Sequence, residues 1–349
     1  MTCDSQNLHR RLPRLTSVLL NITEECHVGC RHCGFIGSSR EREAEPDEMS
    51  RWVAEACEYG VPELIFTGGE PFLRLEVLER GVRAAAQAGK QSGIFTSSVW
   101  ATNPTVTRDI LTRLSRVTHL YLSSDVYHQE RIPVENVRRV IDIAFELGVP
   151  KITVCITYTK TDDLLHIRSM YEQYGQRIAF HQDRVIPTKY LRLRLLKNQD
   201  TLLPPDPSKY DQHCYLSTPI INPNGDLISC HAGKAGAHRS LTETPYYLGN
   251  LRNQSFHEIM EKSRNRWDYQ YLRTHGPQGV AHLYVNHPVL IQATGRAEGF
   301  TNACDMCFST LKTPEGRAAL DHQVAIPAVR NTVDAVLLFG LNEAPLADE

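Results

Sequence analysis

Through the first 190 residues the chain alternates short apolar runs with amphipathic stretches. Ser17–Ile22, Glu63–Thr67, Gly93–Ser97, His119–Ser123, Lys151–Thr157 and Arg177–His181 read as strands. Between them the apolar positions recur at helical spacing. Met49, Val53 and Ala56 form one stripe that stops at Gly60. Leu75, Leu78, Val82 and Ala85 form a second that ends near Gly89, and Val137, Val140, Ile141 and Ala144 a third that ends at Gly148. A glycine just past the last turn is the expected stop, because it takes left-handed dihedrals at little cost. Six strands at roughly 30-residue spacing, each with a helix or returning segment, predict a parallel sheet with right-handed crossovers. Eight such units close a barrel; six leave an open, partial (β/α)6 barrel, with its chemistry at the C-terminal strand ends.

After Pro204–Pro207 the alternation stops and Gly-, Pro- and Asn-rich turns such as Asn222–Asp226 appear. The expected division is a barrel over 15–204, a smaller domain over 205–312 and an extension over 313–349. The 349 residues are 41% apolar, enough to bury a real core, and the net charge of −2 lacks the basic excess of a nucleic-acid or membrane-surface binder. No run approaches the ~18–20 apolar residues of a membrane span. The first fifteen residues lack the apolar middle of a signal peptide, so the expected compartment is the reducing cytoplasm.

In that compartment ten cysteines suggest metal rather than disulfides. Cys26, Cys30 and Cys33 follow the first strand with CxxxCxxC spacing. Three thiolates bind three corners of a cubane 4Fe–4S cluster and leave the fourth iron open to another chelator. A four-ligand zinc site completed by His27 or His32 is the alternative. Gly68-Gly69-Glu70-Pro71 follows the second strand, which places it beside the cysteine loop. Two glycines allow close backbone approach, and Glu70 offers a carboxylate for an ammonium group.

Together these motifs resemble the radical S-adenosylmethionine superfamily over residues 15 to about 310. The resemblance implies a TIM-like partial (β/α)6 barrel in which Cys26, Cys30 and Cys33 hold the catalytic cluster. It implies that Gly68, Gly69 and Glu70 receive the methionine amine. Ser123, Ser124 and Asp125 would meet the ribose with help from Ser97, and Arg184 a carboxylate of the cofactor or substrate. For each of these polar residues a cap, turn or surface role is the alternative. His32 stands where the family usually has an aromatic residue.

Further on come Cys214, Gly225 and Cys230, and then Cys304-Asp305-Met306-Cys307. These resemble the C-terminal extension called SPASM, or its shorter form Twitch. No cysteine follows Cys307, so the resemblance implies one auxiliary 4Fe–4S cluster with four protein thiolates; a structural zinc has the same ligand count. Trp267, Tyr269, Tyr271 and Tyr284 either wall the substrate site or pack an insertion. Cys57 lies on an apolar helix face and Cys3 near the N-terminus. Cys155 alternates with Ile152, Val154 and Ile156, so it is either a lumen-facing hydrogen-atom donor or a small core residue.

The implied function is reductive cleavage of S-adenosylmethionine to a 5′-deoxyadenosyl radical that abstracts hydrogen from a substrate. Maturation of a ribosomal peptide by oxidation, crosslinking or epimerisation leads. A dehydrogenase, epimerase or decarboxylase of a sugar, aminocyclitol or nucleoside is the alternative, and a non-enzymatic metal-binding protein a third. The expected partners are a flavodoxin- or ferredoxin-type electron donor and, because strand one begins near residue 17, a separate peptide-recognition protein.

Overall fold

The computed structural model describes residues 15–33, 43–158, 161–184, 203–210, 216, 218–230, 241–300 and 302–337. Cys3 and Cys214 lie outside the described residues. Six parallel strands form the first part of the sheet: β1 (Val18–Asn21), β2 (Glu63–Thr67), β3 (Gln91–Thr96), β4 (His119–Ser123), β5 (Lys151–Tyr158) and β6 (Ala179–Arg184). The sixth strand begins later than Arg177–His181. Gly175, at φ +53°, breaks a 3-10 turn over Glu172–Arg177, and only Ala179 onward can join the ladder beside Thr153.

Amphipathic helices cover one face: α1 (Pro46–Tyr59), α2 (Leu75–Gln87), α3 (Pro104–Arg113), the short α4 (Val126–Gln129), α5 (Val134–Glu146) and α6 (Thr161–Ser169). The alternation along β5 sorts its two faces. Ile152, Val154 and Ile156 are buried in the main core together with Val137, Val140 and Ile141 of α5, while Thr153, Cys155 and Thr157 look the other way, into the lumen.

The sheet does not end at β1. β7 (Ile220–Ile221) pairs with it in parallel, and an antiparallel meander adds β8 (Asp226–Ile228) and β9 (Tyr247–Asn250). The strand order is β6-β5-β4-β3-β2-β1-β7-β8-β9, open at β6 and β9. The meander is followed by α7 (Phe256–Ser263), by two helical segments over Trp267–Asn286 (α8) that meet at Gly276, and by α9 (Val289–Thr294), α10 (Ala303–Leu311), α11 (Pro314–Ala325) and α12 (Pro327–Ala335). Among the described residues no helix is long and apolar enough to cross a membrane.

α1 is the dock between the two parts. Ile221, Leu227, Phe256 and Ile259 share the main core with Met49, Trp52 and Val53. Arg252 grips Glu48 through Nε (2.8 Å) and Nη2 (3.0 Å) and also donates to the carbonyls of Glu43 (3.1 Å) and Pro223 (3.2 Å). Both charged side chains are mostly covered, so removing one strands the other. Arg252→Met is expected to lower the unfolding free energy by about 2–3 kcal/mol, read as a shifted urea midpoint.

Candidate active site

The loop after β1 and the loop after β2 continue the parallel ladder beyond the strands themselves. Ile22 N donates to Thr67 O (2.8 Å), Gly69 N to Thr23 O (2.6 Å) and Glu70 N to Glu25 O (2.9 Å). The cysteine loop and the GGEP loop are therefore zipped backbone to backbone. The glycines are required by contact rather than by turn geometry alone. A Cβ on Gly69 would fall on the carbonyl of Glu25, and one on Gly68, whose φ is +155°, would meet Thr23 O and Asn21 Oδ1.

Cys30 is buried with Val28 and Ile132, and Cys26, Cys33 and Val99 pack against that group. Burial pushes the Cys30 thiol well above the usual range; Cys33, Asp125 and Cys26 push it further. Burial also raises Cys26. Cys26 and Cys30, raised in this way, resist ionisation by themselves; with Cys33 packed beside them they are a donor set that a strongly charged metal centre would stabilise as thiolates. Asn21 lies beside Gly68, fully buried, and neither atom of its amide has a partner among the described residues. The residues present therefore fit a three-thiolate cluster with a polar ligand beside it.

The carboxylate of Glu70 is enclosed. Oε1 accepts from Thr96 Oγ1 (2.8 Å) and Phe72 N (3.4 Å), while Oε2 accepts from Ser97 N (3.0 Å) and Ser97 Oγ. Burial raises its pKa, and these hydrogen bonds pull it back down. The side chain thus ties the end of β2 to the end of β3, and with it Ser97. Thr96 is the hub of that tie, for its Oγ1 also accepts from Ser98 N (3.1 Å) and Trp100 Nε1 (2.9 Å). Ser98 is the one described non-glycine residue with positive φ (+64°), and its buried hydroxyl has no partner among the described residues. Neither residue carried a signal in the sequence, because each acts through contacts that its own neighbourhood does not reveal.

After β4, Ser123 is half-buried on the lumen side, in register with Cys155. Ser124 points elsewhere and accepts from Tyr171 OH (2.6 Å) and Gln129 Nε2 (3.0 Å). Asp125 is 1% exposed and caps α4, with Oδ1 accepting from the backbone of Tyr127 and His128. Its Oδ2 lies 2.9 Å from His128 Nδ1 and 3.8 Å from His32 Nε2. Asp125 is opposed by burial but ends below its ordinary pKa, chiefly through its hydrogen bond with His128. Burial pushes His32, a member of the cysteine loop tilted over the Tyr127 ring, down to about 4, so it stands neutral there. Arg184 ends β6, in register with Tyr158.

The second group comes from the meander and α10. Cys230 follows β8. Cys304 and Cys307 stand one turn apart in the first turns of α10, which Asn302 caps. A helix N-terminus favours negative charge, and so thiolates. Burial pushes Cys304 up to about 12, with Cys230 and then Asp183 of β6 adding to it. Burial raises Cys307 too, against a hydrogen bond from Tyr246. The neighbouring Asp305 is turned away, accepting from Ser309 Oγ (2.8 Å). Cys214, the fourth residue of the expected set, lies outside the described residues. Tyr269, Tyr271 and Tyr284 are at most 2% exposed and pack the C-terminal core, so these three do not wall a substrate site. Cys57 packs in the main core.

Residues 20–173 match the Radical SAM superfamily. Residues 214–281 match a second family described as an iron-sulfur cluster-binding domain, SPASM. The protein is accordingly an enzyme that uses 4Fe–4S clusters and S-adenosylmethionine. A putative peptide biosynthesis protein, YydG of Bacillus subtilis, is 20% identical over 86% of this chain and 93% of its own length. A PqqA peptide cyclase of Ruegeria pomeroyi is 23% identical over 67% and 72% of the two chains. The fold is similar to that of Streptococcus suis SuiB bound to its precursor peptide SuiA, with a TM-score of 0.54 at 13% identity, over 86% of this chain and 78% of that one.

Proposed function

We propose that this enzyme matures a ribosomally made peptide by hydrogen-atom abstraction, with Cys26, Cys30 and Cys33 holding the catalytic cluster. The observation that carries the reading is the backbone zip that seats the cysteine loop on Gly69 and Glu70. The peptide substrate rests on the relatives named for peptide biosynthesis and cyclisation. When bound, the cluster supplies the electron that splits S-adenosylmethionine into methionine and the 5′-deoxyadenosyl radical.

The chain's own residues bind, orient and enclose. In this reading Gly68 and Gly69 offer backbone at the open corner, and Glu70, through Ser97, holds the neighbouring loop in place. Ser123 faces the lumen for the ribose, with Asp125 bracing His32 and His128 beside it. Ser124 supports α4, and Arg184 stands at the end of β6 for a carboxylate. Cys230, Cys304 and Cys307, with Cys214, hold the auxiliary cluster. The domains run over 15–204, 205–312 and 313–349. The net reaction is of the oxidoreductase or isomerase type. The proposal includes a flavodoxin- or ferredoxin-type donor, a separate peptide-recognition protein and a reducing cytoplasm, where thiols survive.

Cys155 carries the epimerisation form of the proposal. It stands opposite His181 on β6, and burial raises its pKa, which keeps the hydrogen on sulfur. With a precursor peptide encoded beside the gene, Cys155→Ala is expected to keep 5′-deoxyadenosine formation and stop deuterium delivery from D2O into the product. Unchanged delivery removes the donor role. For the function as a whole, the test is mass spectrometry of deuterium passing from labelled candidate substrates into 5′-deoxyadenosine. Transfer from a peptide supports the proposal; transfer only from a sugar, aminocyclitol or nucleoside overturns its substrate class.

A further inference from the structure

The described part of the auxiliary site contains one protein hydroxyl aimed at a candidate ligand sulfur. Tyr246 is 1% exposed, and its OH lies 3.0 Å from Cys307 Sγ. In a free thiol either atom could donate. Once the sulfur is a metal-bound thiolate it has no proton, and only the tyrosine can. The ring is held in place from several sides. Its own carbonyl accepts from Ser229 N (2.7 Å), one residue before Cys230, so the backbone at Tyr246 is clamped to the strand that delivers a second ligand. Its ring stacks toward Phe308, one residue after Cys307, at a centroid distance of 6.4 Å. Around it Tyr269, Leu272, Leu283, Leu311 and Leu320 form an apolar cluster, with Cys230 and Cys307 packed against it.

A phenol buried this deeply is placed to hydrogen-bond, and its direction is set by packing on both sides rather than by the solvent. A hydrogen bond to a cluster sulfur draws negative charge off the metal–thiolate unit. It stabilises the reduced, more negative state relative to the oxidised one and raises the reduction potential. The effect is strongest where water is excluded, as here.

We propose that Tyr246 is a positioning residue for the auxiliary cluster, raising its midpoint potential through a hydrogen bond to Cys307 Sγ and so making it a readier electron acceptor. A cluster that served only to staple the domain would not need that bond. The inference rests on the proposed reading that Cys230, Cys304 and Cys307 are cluster ligands, and it concerns what one further side chain does to that cluster.

The test uses the full-length chain with Cys26, Cys30 and Cys33 all changed to alanine, so that the auxiliary cluster is the only one observed. After anaerobic reconstitution, iron and sulfide are counted and the midpoint is taken by EPR-monitored redox titration. Tyr246→Phe keeps the ring and removes the hydroxyl. It is expected to keep the iron and lower the ratio of reduced to oxidised cluster about tenfold at a fixed potential, which for a one-electron couple is a fall of about 59 mV. Tyr284→Phe, which removes a buried hydroxyl bonded instead to Thr294 and Arg296, is expected to leave the midpoint in place. A loaded cluster with the same midpoint in Tyr246→Phe overturns the inference and leaves the ligand reading standing. No iron in the parent protein overturns both. Should Tyr246→Phe alone fail to load, resonance Raman of the parent decides. A D2O shift of the iron–cysteine stretching bands supports the hydrogen bond, and its absence overturns it.

Discussion

Cys30→Ala is expected to abolish 5′-deoxyadenosine formation, by at least about 10³-fold or about 4 kcal/mol of lost rate enhancement, while about four irons per chain disappear. The size follows from how the site is built. Only three thiols converge in the loop after β1, and Cys30 is the most deeply buried of them, walled by Val28 and Ile132. Alanine offers the cluster no donor atom in place of the sulfur. Two remaining thiolates cannot hold a cubane at three corners. Cys57→Ala is the matched control. Cys57 is also buried but lies in the core face of α1, so its loss is expected to cost about 1–2 kcal/mol of stability and no iron. Iron and sulfide analysis with chromatographic measurement of 5′-deoxyadenosine separates the two. Normal cleavage by Cys30→Ala would end the assignment of the catalytic site.

Gly69→Ala is expected to reduce S-adenosylmethionine cleavage by at least about 10²-fold, although it adds a single methyl group and touches no cysteine. That methyl would fall on the carbonyl of Glu25, next to Cys26, so the two loops must separate. Separation breaks the Gly69–Thr23 and Glu70–Glu25 hydrogen bonds and lets Cys26 drift from its partners. Glu70, pinned by Thr96 and Ser97, cannot follow the loop without stranding their donors. Gly89→Ala is the contrast. Gly89 has φ +68° but nothing within 4 Å of the added methyl, so only backbone strain of about 1–2 kcal/mol is expected, with cleavage intact. Initial rates of 5′-deoxyadenosine formation and urea midpoints on both variants test the difference.

The signals that could be read along the chain are those with short range. The CxxxCxxC spacing, the GGEP run, the two-residue alternation of β5 and the glycine stops of α1, α2 and α5 each lie within about twenty residues. They were enough for an open parallel sheet with chemistry at its C-terminal ends. Where local rules compete, the pattern along the chain does not decide. Arg177–His181 looks like a strand, but the 3-10 turn around Gly175 holds its first residues out of the sheet. Tyr269, Tyr271 and Tyr284 could have been core or site, and only their burial separates the two.

By itself the sequence determined the spacing of the cysteines, the order of the first six strands and the resemblance to a radical superfamily, because these depend on spacing along one chain. The tertiary structure decided the rest. It decided that Glu70 ties two strands together, that Ser124 supports α4 while Ser123 faces the lumen, and that Tyr246 meets Cys307 across sixty-one positions of sequence. Such pairs form only when distant elements pack. Which hydroxyl finds which acceptor is then set by the competition to leave no buried donor unpaired, and no local pattern encodes it.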